Sequence, residues 1–167
     1  MIGSILEHGM IKKEFDMNVN VYFYKEHKDA KLPDVAYGNT SAAFDVYAVE
    51  DVEIKPGESK VVENGIRCSI HENDPYYMVV MDRSSMGFKR ALRVYQGVID
   101  AGYTGPLGVL MTNIGTETQV IKKGDKYAQL VVLPKVTPNF VELNSQEFKE
   151  FEETQQRGSK GFGSSGK

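Results

Sequence analysis

A single carboxylate within a glycine-rich stretch is the first group in this sequence that could perform chemistry. Residues 97–105 read GVIDAGYTG, so Asp100 follows an apolar pair and Tyr103 comes shortly after it. Glycine allows backbone angles and close approaches that a Cβ forbids, and a carboxylate held beside an aromatic ring is typical of a small-molecule site. Asp and Gly also favour turns for purely local reasons. Taken alone, the stretch indicates a turn more strongly than a site.

The segment DRSSMGFKR, residues 82–90, carries groups that are suited to binding phosphate. The planar guanidinium of Arg83 matches a phosphate in geometry, and Ser84 and Ser85 add hydroxyl and amide donors. Gly87 permits a close approach of the backbone. The structural alternative is a solvated loop with a surface arginine, and the segment in isolation favours that alternative.

A glutamine and the C-terminal residues supply two weaker signals. Gln129 lies in the otherwise apolar YAQLVVL, where a buried amide must pair with backbone or contact a ligand. Residues 161–167, GFGSSGK, begin a phosphate-loop pattern, but that pattern needs a Ser or Thr next and a strand and a helix around it. We therefore expect no nucleotide-binding α/β domain. Glycine amides with Ser164, Ser165 and Arg157 could still surround an anion, and the alternative is a disordered tail.

The elements that must position these groups are predicted to be short strands. Residues 19–24 alternate between apolar and more polar side chains, as expected for a half-buried strand. Residues 41–54, SAAFDVYAVEDVEI, form a second β pattern, and short apolar segments divided by turn residues continue as far as Leu133. Many short strands with almost no helical periodicity predict an all-β sandwich or barrel.

Two short helices interrupt this pattern, and the chain is expected to have three parts. One helical turn is predicted after Ser84, and a helix is predicted over Gln146–Glu153 with Asn144 as its cap. The three parts are an N-terminal extension (1–17), a β domain (18–143) and a glycine-rich C-terminal arm (144–167).

Composition narrows the possible classes of function. A chain of 167 residues with 41% hydrophobic and 26% charged residues fits one globular domain with a real core. A net charge of -3 gives no general signal for nucleic acid or for an acidic membrane, and no apolar run is long enough to span a bilayer. The lone Cys68 excludes an internal disulfide and favours the reducing cytoplasm, which would be the host's if the source is viral, and the nucleus remains open.

Five segments in a fixed order resemble the five motifs of the trimeric deoxyuridine triphosphate diphosphatases, the dUTPases. They are AAFDVYA (42–48), DRSSMGF (82–88), GVIDAGYTG (97–105), GDKYAQLV (124–131) and RGSKGFGSSG (157–166). The resemblance implies a jelly-roll-like or β-clip single domain with a flexible arm, assembled as a homotrimer with shared active sites. It also implies hydrolysis of dUTP to dUMP and pyrophosphate, which supplies dUMP and keeps uracil out of DNA.

The resemblance assigns a role to each site residue. Asp100 would be the base that deprotonates the attacking water, and Tyr103 would pack on the deoxyribose and exclude a ribose 2′-hydroxyl. Main-chain groups at Gly97, Val98 and Gly108 would bind uracil. The implied phosphate contacts are Arg83, Ser84, Ser85 and Gln129 within the body of the chain. The arm of another subunit would add Phe162 stacked on uracil, with Arg157, Gly163 and Ser164 around the phosphates.

Mg²⁺ is the cofactor that the resemblance implies. The ion would sit mainly on the substrate phosphates, with Asp45 nearby, either through a water molecule or by fixing Arg83. This agrees with the general behaviour of Mg²⁺, which keeps several waters and binds substrate phosphates rather than a dedicated protein cage.

The sequence departs from the family at several positions, and two other functions stay open. Asp82 stands where Pro is common, Tyr95 where Asn or Gly is frequent, and Lys160 where Gly is common; Asp125-Lys126-Tyr127 replaces an Asp-Arg-Ile sequence. The first alternative function is that of the deoxycytidine triphosphate deaminases on the same fold, which release ammonia. The second is a nucleotide-binding module without catalysis.

Overall fold

The computed structural model describes residues 18–35 and 37–155. These residues form antiparallel strands and two short α-helices. The strands are β1 (Val21–Lys25), β2 (Phe44–Tyr47), β3 (Val52–Ile54), β4 (Ser59–Val62), β5 (Ile66–Ile70), β6 (Tyr76–Asp82), β7 (Leu92–Val94), β8 (Val98–Ile99), β9 (Val109–Asn113), β10 (Gln119–Ile121) and β11 (Lys126–Pro134). The helices are α1 (Ser84–Arg90) and α2 (Ser145–Glu153), and a single 3-10 turn spans Gly38–Thr40.

In the described part of the chain, the strands form four small sheets rather than one continuous sheet. The largest has the order β2-β11-β6-β8, and a second has the order β4-β9-β7. The pairs β1-β5 and β3-β10 complete the described set. The all-β prediction is confirmed, and within the described residues the sheets do not close into a barrel.

The β pattern predicted over residues 41–54 is two strands, and one other strand was missed. Residues 41–54 contain β2 and β3 separated by a turn, because the chain leaves the first sheet after Tyr47. The N–H of Ala48 then donates to the Asp125 carbonyl at 3.0 Å, and that of Val49 to the Glu63 carbonyl at 3.0 Å. β10 is only three residues long and is held by its pairing with β3, which the periodicity of the sequence does not reveal.

Strand β11 is central to the fold and carries a bulge near its start. It lies between β2 and β6, and its register with β2 shifts between Lys126 and Ala128. Two successive side chains, Tyr127 and Ala128, are therefore both fully buried, although a regular strand would alternate them. Lys126 lies opposite Tyr47 of β2 before the bulge, and Gln129 lies opposite both β2 and β6 after it.

The described residues fall into two compact units that divide between Lys135 and Val136. The second unit contains α2, which confirms the predicted helix and its cap. The side chain of Asn144 accepts from the N–H groups of Gln146 and Glu147 at 3.0 Å each, and Glu147 returns a bond to the Asn144 N–H. The predicted helix after Ser84 is confirmed by α1. The predicted division into three parts stays a prediction, since residues 1–17 and 156–167 lie outside the described residues.

Neither helix in the described part of the chain is long and apolar enough to cross a membrane.

Candidate active site

The stretch that the sequence singled out forms the wall of a cavity. β8 pairs with β6 through Val98 and Ile99, and the Gly97 carbonyl accepts from the Val80 N–H at 3.1 Å. The cavity has a volume of about 320 Å³. The five predicted residues that line it are Gly97, Val98, Asp100, Tyr103 and Gly108. We call it the hairpin cavity.

The bend after Asp100 requires glycine at two positions. Gly102 has a φ of +82°, and its N–H donates to the Ile70 carbonyl at 2.8 Å. A Cβ on Gly105 would lie 2.2 Å from the Tyr103 hydroxyl oxygen and 2.5 Å from ring carbon Cζ. The Tyr103 ring therefore packs directly on the backbone, and its hydroxyl donates to the Pro106 carbonyl at 3.2 Å. Gly97 differs, because a Cβ there would meet no atom of the described residues within 4 Å.

The carboxylate of Asp100 is exposed and is not used to hold the fold. No hydrogen bond or ion pair of this side chain occurs among the described residues, although its carbonyl accepts from the Tyr103 N–H at 3.2 Å. Among the described residues that line the hairpin cavity, it is the only charged side chain. A carboxylate in this position is free to accept a proton from water.

Two buried residues that the sequence reasoning missed hold the far side of the hairpin cavity. Asn64 is 1% exposed, and its side-chain Nδ2 donates to the carbonyl of Leu107, a residue that lines the cavity. Its Oδ1 accepts from the Ile66 N–H. The hydroxyl of Tyr127 accepts from Asn64 at 3.1 Å and donates to the Val62 carbonyl at 2.8 Å. Burial raises the pKa of Tyr127. The sequence signal for Asn64 was a polar residue directly before Gly65, and the signal for Tyr127 was a tyrosine within an apolar strand.

The predicted phosphate-binding residues line a second cavity, which we call the arginine cavity. Its volume is about 440 Å³, and Arg83, Ser84 and Gln129 are among its lining residues. Ser85 is not; its hydroxyl instead lies 3.5 Å from Nη1 of Arg83. The sequence reasoning missed Arg93, which also lines this cavity.

Asp45 lies between two cations at the edge of this region. It is 6% exposed, and its Oδ1 lies 2.7 Å from Nε of Arg83 while its Oδ2 lies 2.9 Å from Nζ of Lys126. The Lys126 carbonyl accepts a further bond from Nη1 of Arg83 at 2.9 Å. The hydrogen bond to Asp45 raises the pKa of Lys126. Both oxygens of Asp45 are thus occupied, and Arg83 is fixed in place.

Asp82, where the resemblance expects a proline, is held by three contacts. Its Oδ1 accepts from the Val94 N–H, and its Oδ2 lies 2.8 Å from Nε of Arg93. Its main-chain carbonyl accepts from Nε2 of Gln129 at 2.7 Å. Gln129 therefore both ties down backbone and lines the arginine cavity, which combines the two alternatives that its sequence position left open.

No described residue lines both cavities. Asp100 and Tyr103 therefore line one cavity, and Arg83 and Gln129 line the other. The predicted arm residues Arg157, Phe162, Gly163 and Ser164 lie outside the described residues. Within that described part, no group of three His, Cys, Asp or Glu side chains could hold a metal ion.

Comparison with known protein sequences identifies the relatives of this chain. The sequence model of the family described as dUTPase matches residues 28–166. The deoxyuridine 5′-triphosphate nucleotidohydrolase of Clostridium tetani is 37% identical over 142 residues, which cover 84% of this chain and 92% of that protein. The enzyme of the same name from Haemophilus influenzae is 38% identical over 154 residues, with 83% and 97% covered.

The solved structures that resemble this chain include dUTPases as well. The dUTPase of Staphylococcus bacteriophage 80alpha, solved with dUPNHPP, has a TM-score of 0.78 and 29% identity, with 89% of this chain and 99% of that chain covered. A mutant dUTPase from phage phi11 of S. aureus, described as revealing the coordination of a structural Mg(II) ion, has a TM-score of 0.69 and 26% identity, with 75% and 97% covered.

Proposed function

This chain belongs to the dUTPase family and is a hydrolase that converts dUTP to dUMP, and we propose that Asp100 activates the water for this reaction. The observation that carries the proposal is the free, exposed carboxylate of Asp100 at a cavity walled by glycine backbone. As Asp100 takes a proton, the water oxygen forms a bond to the α-phosphorus and the bond from phosphorus to the bridging α,β-oxygen breaks. Pyrophosphate leaves, and dUMP remains.

The hairpin cavity is suited to uracil and deoxyribose. Its wall consists largely of glycine and apolar residues, so main-chain groups at Gly97, Val98 and Gly108 are the donors and acceptors that a uracil edge would meet. Tyr103 packs on Gly105 and is bonded to Pro106, so its ring cannot easily retreat from a sugar. We propose that this fixed ring excludes a ribose 2′-hydroxyl.

The arginine cavity is suited to the triphosphate. Phosphoryl transfer depends mainly on positioning and on neutralising charge, and Arg83, Ser84 and Gln129 offer a guanidinium, a hydroxyl and an amide on one surface. Ser85 is expected to contribute its hydroxyl or amide after a local adjustment. The pairing of Asp45 with Arg83 restricts the guanidinium before substrate arrives, which lowers the entropy lost on binding.

Mg²⁺ is part of the proposed reaction, where it would neutralise and orient the triphosphate. The residues present fit an ion that is held mainly by the substrate. Direct coordination by Asp45 does not fit, because both of its oxygens already contact cations at 2.7 and 2.9 Å. A contact through water is compatible with this arrangement.

The proposed assembly is a homotrimer with active sites shared between subunits. The difference between the described lining residues of the hairpin cavity and those of the arginine cavity supports it, because one subunit would supply the base and sugar contacts and another the phosphate contacts. The arm of a subunit would close the site, with Phe162 on uracil and Arg157, Gly163 and Ser164 at the phosphates. The proposed location is the cytoplasm, or that of the host for a viral chain, which the single thiol supports.

One experiment tests the reaction and the role of Asp100 together. Purified protein is incubated with Mg²⁺ and either dUTP or dCTP, and pyrophosphate and ammonia are both measured. We expect pyrophosphate from dUTP and no ammonia from dCTP; ammonia would assign the chain to the deaminases. Asp100→Asn should slow turnover at least ~10²–10⁴-fold, the contribution of a general base, while retaining nucleotide binding.

The matched control is Asp51→Asn. Asp51 is a 55% exposed aspartate that pairs with Lys122 and lines neither cavity. Its turnover should equal that of the unmodified protein. Normal turnover by Asp100→Asn would contradict the assigned role, and binding of dUTP without any turnover by the unmodified protein would favour the non-catalytic module.

A further inference from the structure

We propose that Arg93 is a second guanidinium for the substrate triphosphate and that Asp82 holds it in position for this task. This inference rests on the proposed function of the arginine cavity. It adds to that cavity a phosphate-binding residue that the resemblance to the dUTPases does not assign. It concerns a position where this chain departs from its family, since Asp82 stands where a proline is common.

The position of Arg93 places it beside the groups already proposed to bind phosphate. It lies on β7, opposite Thr112 of β9, and it lines the same cavity as Arg83, Ser84 and Gln129. Its side chain is 55% exposed. A ligand in the arginine cavity can therefore reach it without any change in the fold.

The contacts of Arg93 leave its two terminal nitrogens available. Its Nε lies 2.8 Å from Oδ2 of Asp82. In the part of the chain that the structure describes, no hydrogen bond uses Nη1 or Nη2 of Arg93. A guanidinium has five N–H donors, so four of them remain for phosphate oxygens.

Arg83 is paired with a carboxylate in the same way as Arg93, and this similarity supports a phosphate-binding role for both arginines. There too a carboxylate, that of Asp45, approaches Nε, at 2.7 Å. Arg83 is the less available of the two, because its Nη1 already donates to the Lys126 carbonyl and its side chain is only 25% exposed. Arg93 thus offers the larger number of unused donors to an anion.

The charges in the cavity also favour an anion over a purely structural ion pair. Among the described residues that line it, the charged ones are Asp82, Arg83 and Arg93, and their net charge is positive. The carboxylate of Asp82 is bonded on both oxygens, to the Val94 N–H and to Arg93. It is therefore neutralised before a triphosphate arrives and does not repel it directly. An exposed ion pair by itself would stabilise the fold very little.

The test compares ligands with one and with three phosphates. The probes are dUMP and the imido analogue of dUTP, dUPNHPP, and their affinities are measured by calorimetry with Mg²⁺ present. Arg93→Gln should weaken the triphosphate analogue about tenfold, which corresponds to one charge-assisted contact of about 1.4 kcal/mol, and leave dUMP within about twofold. Arg93→Lys keeps the charge and should recover part of the loss.

The matched control is Lys123→Gln, which removes one positive charge from a similar pair. Lys123 is 54% exposed, lies 2.6 Å from Asp29 and lines neither cavity. The analogue should bind this variant as it binds the unmodified protein. An equal loss of analogue affinity in the control would show a general charge effect and overturn the proposal.

Two further results for Arg93→Gln would also overturn it. Unchanged affinity for the analogue would show that Arg93 does not contact phosphate, and an equal loss for both ligands would show a structural role. These failures are distinct from failure of the proposed function, which would appear as absent dUTP hydrolysis by the unmodified protein.

Discussion

Replacing Tyr127 with phenylalanine removes one buried hydroxyl from the link between β11 and the wall of the hairpin cavity. Tyr127 is fully buried, and the change preserves the ring and its packing. The Val62 carbonyl loses the donor that lies 2.8 Å away, and Asn64 loses one acceptor but keeps its bond to the Leu107 carbonyl. The perturbation is therefore confined to one hydroxyl and its two partners.

The expected cost follows from the burial of these partners. Val62 is fully buried, so water cannot replace the lost donor. Val62 still pairs with Val109 of β9, so the change removes one buried hydrogen bond rather than every partner of the carbonyl, which costs about 0.5–1.5 kcal/mol in free energy of unfolding. Asn64 retains two of its bonds, so its position, and with it that of Leu107, should be preserved.

Urea unfolding at one fixed subunit concentration measures this loss, because the stability of an assembled protein depends on concentration. Tyr22→Phe is the matched control: Tyr22 is 58% exposed, so its loss of a hydroxyl should leave stability unchanged. The Michaelis constant for dUTP should change little in Tyr127→Phe. A loss no larger than that of the control would refute the view that the Tyr127 hydroxyl supports the Val62 carbonyl.

Three further predictions concern the sugar, the arm and the thiol. Tyr103→Ala should raise the rate with UTP relative to dUTP, because the ring that packs on Gly105 is lost; an unchanged ratio in steady-state assays would place sugar discrimination elsewhere. A chain truncated after Gln156 should stay folded and assembled by light scattering but be nearly inactive, and full activity would contradict closure by the arm. Burial raises the pKa of Cys68 to about 11, above the value of about 8.5 for an unfolded thiol. Its contribution to stability is therefore complete below pH ~8.5 and is lost towards pH ~11, at about 1.4 kcal/mol per unit. Cys68→Ala should flatten the decline of unfolding free energy between pH ~8.5 and ~10, and an unchanged slope would contradict the shift.

The sequence was most informative where side-chain chemistry and local periodicity agree. The strand pattern predicted an all-β chain, and the cap at Asn144 predicted α2, because both depend on residues close together in the sequence. β10 was missed because its three residues become a strand only by pairing with β3. The turn between β2 and β3 is likewise fixed by bonds to distant backbone at Asp125 and Glu63.

The site shows the same division between local and distant information. The hairpin residues could be proposed as a site because GVIDAGYTG is continuous in the chain and resembles a family motif. The sequence reasoning did not include Arg93, because no nearby residue indicates that Arg93 and Arg83 line the same cavity. The carboxylate that binds Nε of Arg93 belongs to Asp82, which lies eleven positions earlier in the chain. The buried contact of Asn64 with Tyr127 joins residues 63 positions apart, and no periodicity predicts such a contact.

The separation of the hairpin and arginine cavities has a genetic consequence if the proposed sites are shared. On the proposed roles, a chain defective at Asp100 and a chain defective at Gln129 would each be inactive alone, yet a mixed assembly would contain a site that takes its hairpin from one and its arginine cavity from the other. Co-expression of the two inactive chains would then restore part of the activity. Damage to the two cavities would behave as two complementation groups within one gene.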